Sequence, residues 1–262
     1  MVKPYGILDD FGWESVALVQ FWLSHELNTG RLGVNLSVPS NGIWSINADG
    51  SGQPEKLSQT FQAFAMSFSS AAESLLVVNG AFDNNSISTL QRVDDTWVSS
   101  PLLSAPYTLD GATVSPNGRW LAFTSRETGR DEIYIRPFAD IDNGKWQVSI
   151  QGGREPEWST SGDELFYLQP DGDNSSATLM AVAIANPNGN SPIPDSPQAL
   201  LGKIIFEIDI PGSYVPSNDG SRFIVRSETN NGATRVNMGN GIINVVENWF
   251  DELKRLAPPD LQ

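Results

Sequence analysis

The stretch VSPNGRWLAFTS, Val114 to Ser125, joins a tight polar turn directly to a strand. Ser115, Pro116, Asn117 and Gly118 combine the fixed φ of proline, a short polar side chain able to cap its own turn, and a glycine free to take positive φ. The segment Trp120 to Phe123 that follows is apolar at every position. A strand without a polar face must be covered on both sides, which places this segment in a core between layers.

The same order of serine, turn, glycine and apolar strand returns in EWSTSGDELFYL, Glu157 to Leu168, and the two copies align without gaps. A third copy is VPSNDGSRFIV, Val215 to Val225, and a weaker fourth is SFSSAAESLLVV, Ser67 to Val78. With Ser69, Ser115, Ser159 and Ser217 as markers, the separations are 46, 44 and 58 residues. The first two fall near the period of about 40 to 45 residues of a four-stranded propeller blade. The long third interval contains two polar loops between Gln169 and Gly202, and loops absorb insertions where strands do not.

Further strand signals lie between the markers: GIWSI from Gly42, SISTL from Ser86, EIYIRPF from Glu132, KWQVSI from Lys145 and TLMAVAI from Thr178. From Val114 to Ile150 the order is strand, turn RETGRD, strand, loop ADIDNG, strand, which is the meander from which a blade is built. One blade cannot bury both of its faces, so several must stack into a ring around a central channel. The prediction is an all-β chain: a β-propeller of about five or six four-stranded antiparallel blades, closed by a short C-terminal helix.

The turn-and-strand copies resemble the WD40-like, or PD40, repeat of TolB-like β-propellers, whose usual form is Ser-Pro-Asp-Gly-Arg/Lys before an apolar strand. Val114 to Ser125 departs from it only by Asn117. Thr113 to Leu168 is similar to the propeller modules associated with bacterial serine/threonine kinases, and Ile243 to Pro258 to their closing strand and helix. The resemblance covers roughly residues 40 to 258 and implies the propeller alone, since the chain has no glycine-rich nucleotide loop and no His-Arg-Asp triplet. Ala71 and Ala72 stand where the turn glycine is expected, so that blade is degenerate.

Residues 41–247 are thus assigned to the repeats, 248–262 to the C-terminal helix and tail, and 1–40 to an N-terminal segment. Within that segment Asp9 or Asp10 as a cap and Gly30 as a stop suit a helix, while dense Val, Phe and Trp suit two strands of a first blade. Strands are preferred because ring closure draws on both chain ends and protects edges.

The 262 residues include 31 acidic and 16 basic side chains, a formal charge of -15, which repels phosphate backbones and anionic lipid surfaces. Nucleic acid is therefore not an expected partner. The absence of cysteine removes disulfides, thiolate metal sites and cysteine nucleophiles together. The apolar run at Val16 to Leu23 falls short of the roughly 20 residues of a membrane helix. The sequence as given carries no export signal, which suits the cytoplasm, or the periplasm if a signal has been removed.

A serine, histidine and aspartate triad would need His25, the single histidine, flanked by Ser24 and Glu26 with no Gly-x-Ser-x-Gly elbow anywhere. The carboxylate pairs Asp9/Asp10, Asp94/Asp95, Asp131/Glu132 and Asp163/Glu164 are adjacent in sequence, so strand geometry sends their side chains apart. Asp140, Asp142, Asp171 and Asp173 lie in Asn/Asp/Gly loops offering oxygen ligands to a hard cation, but none completes a twelve-residue calcium loop. No cofactor or catalytic residue is assigned. Trp97, Arg130, Tyr134, Arg136, Trp146 and Trp158, in or beside the best blade, are the candidates for an adhesive surface. Most are read as packing residues, and any that stays exposed on the rim gains weight as a contact. The expectation is a non-catalytic scaffold binding another protein or peptide, possible subunit of a larger assembly; the alternative is a propeller hydrolase or lyase with a carboxylate or metal site in the channel.

Overall fold

The computed structural model describes residues 19–22, 31–36, 42–47, 55–58, 63–69, 73–79, 86–94, 96–172, 176–205, 213–216, 223–225, 235–238 and 241–244. His25, Asp173 and the C-terminal helix fall outside these residues. All regular structure within them is β.

Four sheets follow one another along the chain, each built from sequence neighbours. The first holds β1 (Val19–Trp22), β2 (Arg31–Leu36), β3 (Gly42–Asn47) and β4 (Glu55–Ser58). The second holds β5 (Ala63–Ser69), β6 (Ser74–Asn79), β7 (Ser86–Val93) and β8 (Thr96–Ser104). The third holds β9 (Leu109–Val114), β10 (Trp120–Ser125), β11 (Glu132–Pro137) and β12 (Trp146–Gln147). The fourth holds β13 (Arg154–Trp158), β14 (Glu164–Pro170), β15 (Ser176–Ala185), β16 (Ile193–Pro194) and β17 (Gln198–Ile205), the last two both pairing with β15. Two hairpins follow, β18 (Tyr214–Pro216) with β19 (Phe223–Val225), and β20 (Arg235–Met238) with β21 (Gly241–Asn244). Every pairing is antiparallel between near neighbours, the meander expected of propeller blades.

The repeat turn has one construction in two blades. Ser115 accepts the Trp120 amide on its Oγ at 2.9 Å, while its own amide donates to the Trp120 carbonyl at 2.8 Å and Gly118 N donates to the Ser115 carbonyl at 2.8 Å. Ser159, Glu164 and Gly162 repeat these three bonds at 3.0, 2.9 and 2.9 Å. Gly118 and Gly162 hold φ of 71° and 74°, which a side chain would strain. In the second blade, beside the alanines, the positive φ falls on Glu73, at 47°.

All six residues of β10 are buried, because its two faces meet different blades. Leu121 and Phe123 pack with Leu76, Val78 and Ile87 of the second blade, whereas Trp120 and Ala122 pack with Trp158, Leu165, Tyr167 and Val182 of the fourth. The same layering joins Ile43 and Leu57 of the first blade to Leu75, Val77 and Leu90 of the second. It continues from Phe166, Leu168 and Leu179 of the fourth blade to Tyr214, Phe223 and Val225, so the β18–β19 hairpin takes the place of the next blade. The first strands of successive sheets pack together, β9 lying against both β5 and β13. In a propeller the first strands of the blades form the inner line beside the axis.

Candidate functional site

Two groups of polar residues stand out, one on a rim and one on the inner strands. The rim group begins with the β10–β11 turn, where Asp131 and Glu132 are both buried and diverge as adjacent strand residues must. Asp131 accepts two hydrogen bonds from Arg126, at 3.0 and 2.9 Å, and pairs with Arg154. Glu132 accepts from Arg130 Nε at 2.8 Å, from the Gly152 amide at 3.1 Å, and from the Ser149 hydroxyl. Ser149 Oγ in turn accepts the Ile133 amide at 2.7 Å. Each buried carboxylate is thus matched by cations and dipoles, the condition under which burying it is tolerable.

These bonds shape the link from β12 to β13. Gly153 N donates to the Asp131 carbonyl at 2.9 Å, and a Cβ on Gly153 would meet Ile133 Cγ1 at 2.7 Å, so the backbone passes too close for a side chain. The link delivers Ile150 to the surface, where it is 66% exposed. Arg130, with its side chain 59% exposed, reaches over and donates to the Ile150 carbonyl at 2.8 Å. A fixed guanidinium and an exposed isoleucine therefore lie side by side.

The other five candidate contacts are placed differently. Tyr134 and Trp158 are buried between blades, and the Trp158 indole N–H has no hydrogen-bond partner among the described residues. Trp146 stacks edge-on against Trp120 at 5.7 Å. Trp97 is half-buried over the core of the first two blades and donates to Glu55 Oε1 at 3.1 Å. Arg136 is mostly covered and donates to the Ile141 carbonyl at 2.9 Å. Tyr134 belongs to a network around Glu127, which accepts from Tyr107 at 2.9 Å and from Lys145 at 2.6 Å. Burial pushes the Glu127 carboxyl up, but hydrogen bonds from Lys145, Tyr107 and Tyr134 outweigh it and hold the group below its ordinary value. Burial, then the bond to Glu127, pushes the Tyr134 phenol up to about 12.

The loop aspartates do not converge. Asp140 is exposed, its carbonyl closing a turn with Asn143 N at 3.0 Å, and Asp142 is 90% exposed beside Arg136. Asp171 accepts the hydroxyls of Ser176 and Thr178 across the β14–β15 turn. Among the described residues no group of three or more His, Cys, Asp or Glu side chains is arranged to hold a metal ion.

The inner-strand group was not singled out from the sequence. On β13, Glu155 adopts a φ of 51° at an irregularity in the pairing with β14. Its carboxylate accepts both the amide and the hydroxyl of Ser213 at 2.9 Å, and its carbonyl accepts the Tyr214 hydroxyl at 2.8 Å. One glutamate thereby ties the fourth blade to β18. At Glu157, two residues on, burial and then Glu155 push the carboxyl up to about 8. Burial, followed by Glu157 and Glu155, raises the Tyr214 phenol well above its ordinary value. The alignment of REPEW with the inner strand LDGATV was the available signal, because it puts two acids where the neighbouring blade has glycine and threonine.

Neither a family model nor a curated protein sequence matches the chain. Solved structures do. A protein described as a TolB from Agrobacterium tumefaciens is 18% identical, with a TM-score of 0.57 over 73% of this chain and 68% of its own. TolB from Acinetobacter baumannii is 15% identical with a TM-score of 0.57, covering 86% of this chain, which spans 52% of that protein's length. An auxiliary nutrient binding protein from Bacteroides thetaiotaomicron is 13% identical, with a TM-score of 0.51 over 69% of this chain and 41% of its own. Among the described residues no helix is long and apolar enough to cross a membrane. With stacked four-stranded meanders, the repeated serine turn and these structural likenesses, the chain has the β-propeller fold, similar to that of the TolB structures.

Proposed function

We propose that the chain is a non-catalytic propeller module that binds another protein or a peptide through the rim formed by the β10–β11 turn and the β12–β13 link. The observation that carries this reading is the pair Arg130 and Ile150. Arg130 is held by buried Glu132 and by the Ile150 carbonyl, yet its side chain and that of Ile150 remain largely exposed. An arginine already fixed in place loses little conformational entropy on docking, and arginine beside an apolar anchor is the composition of interface hot spots. The other five candidate residues serve packing or hydrogen bonding within and between blades, so Arg130 is the member of that set available for contact.

Purification under mild conditions, with light scattering for mass and mass spectrometry for companions, tests the reading. A protein that co-purifies with the wild type, and is lost from Arg130→Ala and Ile150→Ala variants that remain folded, is the expected result. A companion retained by both variants would remove this rim from consideration.

A second reading, a propeller hydrolase or lyase, has the inner-strand pair in its favour, since burial and then Glu155 push the Glu157 carboxyl up to about 8. Hydrolytic or eliminating activity abolished by Glu157→Gln would support it over the binding module.

A further inference from the structure

The chain has 31 acidic residues against 16 basic ones, yet one part of its surface shows the opposite sign. Between Arg126 and Glu132 the exposed residues are Arg126, Thr128, Gly129 and Arg130, while Glu127 is partly covered and Asp131 and Glu132 are buried. The β12–β13 link beside this turn adds Ile150 and Gln151, both exposed. No exposed carboxylate stands among these residues, and the exposed Asp140 and Asp142 lie on the β11–β12 loop, at the other end of β11.

The ion pairs of this turn set the carboxylate inward and the cation outward. Side-chain exposure is 49% for Arg126 against 11% for Asp131, and 59% for Arg130 against 1% for Glu132. Lys145 over Glu127 keeps the same order. Both arginines spend Nε and Nη2 on their covered carboxylates, and Arg130 Nη2 also donates to the Ile150 carbonyl at 2.8 Å. Nη1 of each has no partner among the described residues. A guanidinium held along one edge keeps its remaining N–H donors for an incoming oxygen, and the hold removes side-chain freedom before docking.

We propose that this rim receives an acidic segment of a partner protein, with its carboxylates on Arg126 and Arg130 and an adjoining apolar side chain against Ile150. This rests on the rim reading above and adds the chemistry of the partner. A carboxylate gains a charge-assisted bond at each open Nη1, while the acids that hold the two arginines stay covered beneath them. At physiological ionic strength charges more than about 8 Å away are largely screened, so the acids elsewhere on the surface do not cancel cations acting at contact. Charge at such a rim selects the partner as well as drawing it in.

Titration of the full chain with a labelled peptide of alternating glutamate and leucine, beside peptides carrying glutamine or lysine in place of glutamate, tests this directly. The glutamate peptide is expected to bind at least about tenfold more tightly than either of the others, and to weaken as salt is raised. Arg130→Gln is expected to weaken it by about tenfold, and Gln151→Glu, which adds an exposed acid and leaves every ion pair of the turn in place, by about threefold or more. No binding of the glutamate peptide, equal affinity for the glutamine peptide, tighter binding of a single-stranded oligonucleotide, or indifference to Gln151→Glu would each overturn the proposal; the peptide comparison and Gln151→Glu decide it even if Arg130→Gln fails to fold. A companion protein lost from Arg130→Ala and Ile150→Ala, with no preference for the glutamate peptide, would refute the acidic partner and keep the rim. A companion retained by both variants would refute the rim itself.

Discussion

The two faces of the fourth blade bury acidic residues in opposite ways. Toward the third blade, Asp131 and Glu132 are enclosed by three arginines, a serine hydroxyl and a glycine amide. Toward β18, Glu155 accepts the amide and hydroxyl of Ser213, and burial pushes the neighbouring Glu157 carboxyl up to about 8. The first face is held by matched charge, and the second carries a carboxyl whose acidity burial has weakened. A chain of net charge -15 has few cations to distribute, and Arg126, Arg130 and Arg154 stand where the best repeat meets its neighbour.

The largest effect is expected from emptying the core behind the first face. Trp120→Ala removes an indole packed against Trp146 and the fourth blade, and is expected to cost about 3 to 5 kcal/mol in denaturant unfolding. Next, Asp131→Ala removes the buried carboxylate that Arg126 and Arg154 share, for a loss of about 3 kcal/mol. A loss as small for Asp131→Ala as for an exposed aspartate such as Asp142 would break the contrast between the two faces.

Glu157→Gln sharpens the contrast through pH. The folded carboxyl titrates near 8, above its unfolded value, so the wild type holds a proton in the folded state that the unfolded chain has released. That contribution is fully present below the unfolded value of about 4.5, declines as pH rises, and is gone above about 8. The variant should therefore match the wild type in melting temperature near about pH 4 and exceed it increasingly up to about pH 8. A difference constant with pH would show that Glu157 titrates normally.

The smallest effect belongs to the repeat turn. Ser115→Ala and Ser159→Ala each remove the acceptor for one strand amide and should cost about 1 kcal/mol apiece, nearly alike because their bonds are alike. Unequal losses would mean that the two turns, though equal in geometry, differ in what the surrounding blades supply.

The fold was legible because its signal is local and repeated. Serine, turn, glycine and a fully apolar strand recur at blade spacing, and both faces of Leu121 to Phe123 found a neighbouring blade as the missing polar face required. The site was far less legible, because side-chain direction is set by pairings distant in sequence. Arg130 and Ile150 are twenty residues apart and meet only after β11 and β12 have paired, so no local pattern marks Ile150 as a surface residue. Tyr134, Trp146 and Trp158 carry the composition of a contact surface, yet each lies on a strand whose neighbours cover it. Glu155 finds its partners Ser213 and Tyr214 almost sixty residues later in the chain.

The central claim, that the chain binds a protein partner through its Arg130 and Ile150 rim, is tested most directly by measuring association of the co-purifying partner with purified wild type and with Arg130→Ala/Ile150→Ala. The account predicts a loss of at least about 2 kcal/mol in binding free energy with the melting temperature of the variant unchanged within a few degrees. Equal affinity for the two proteins would contradict it.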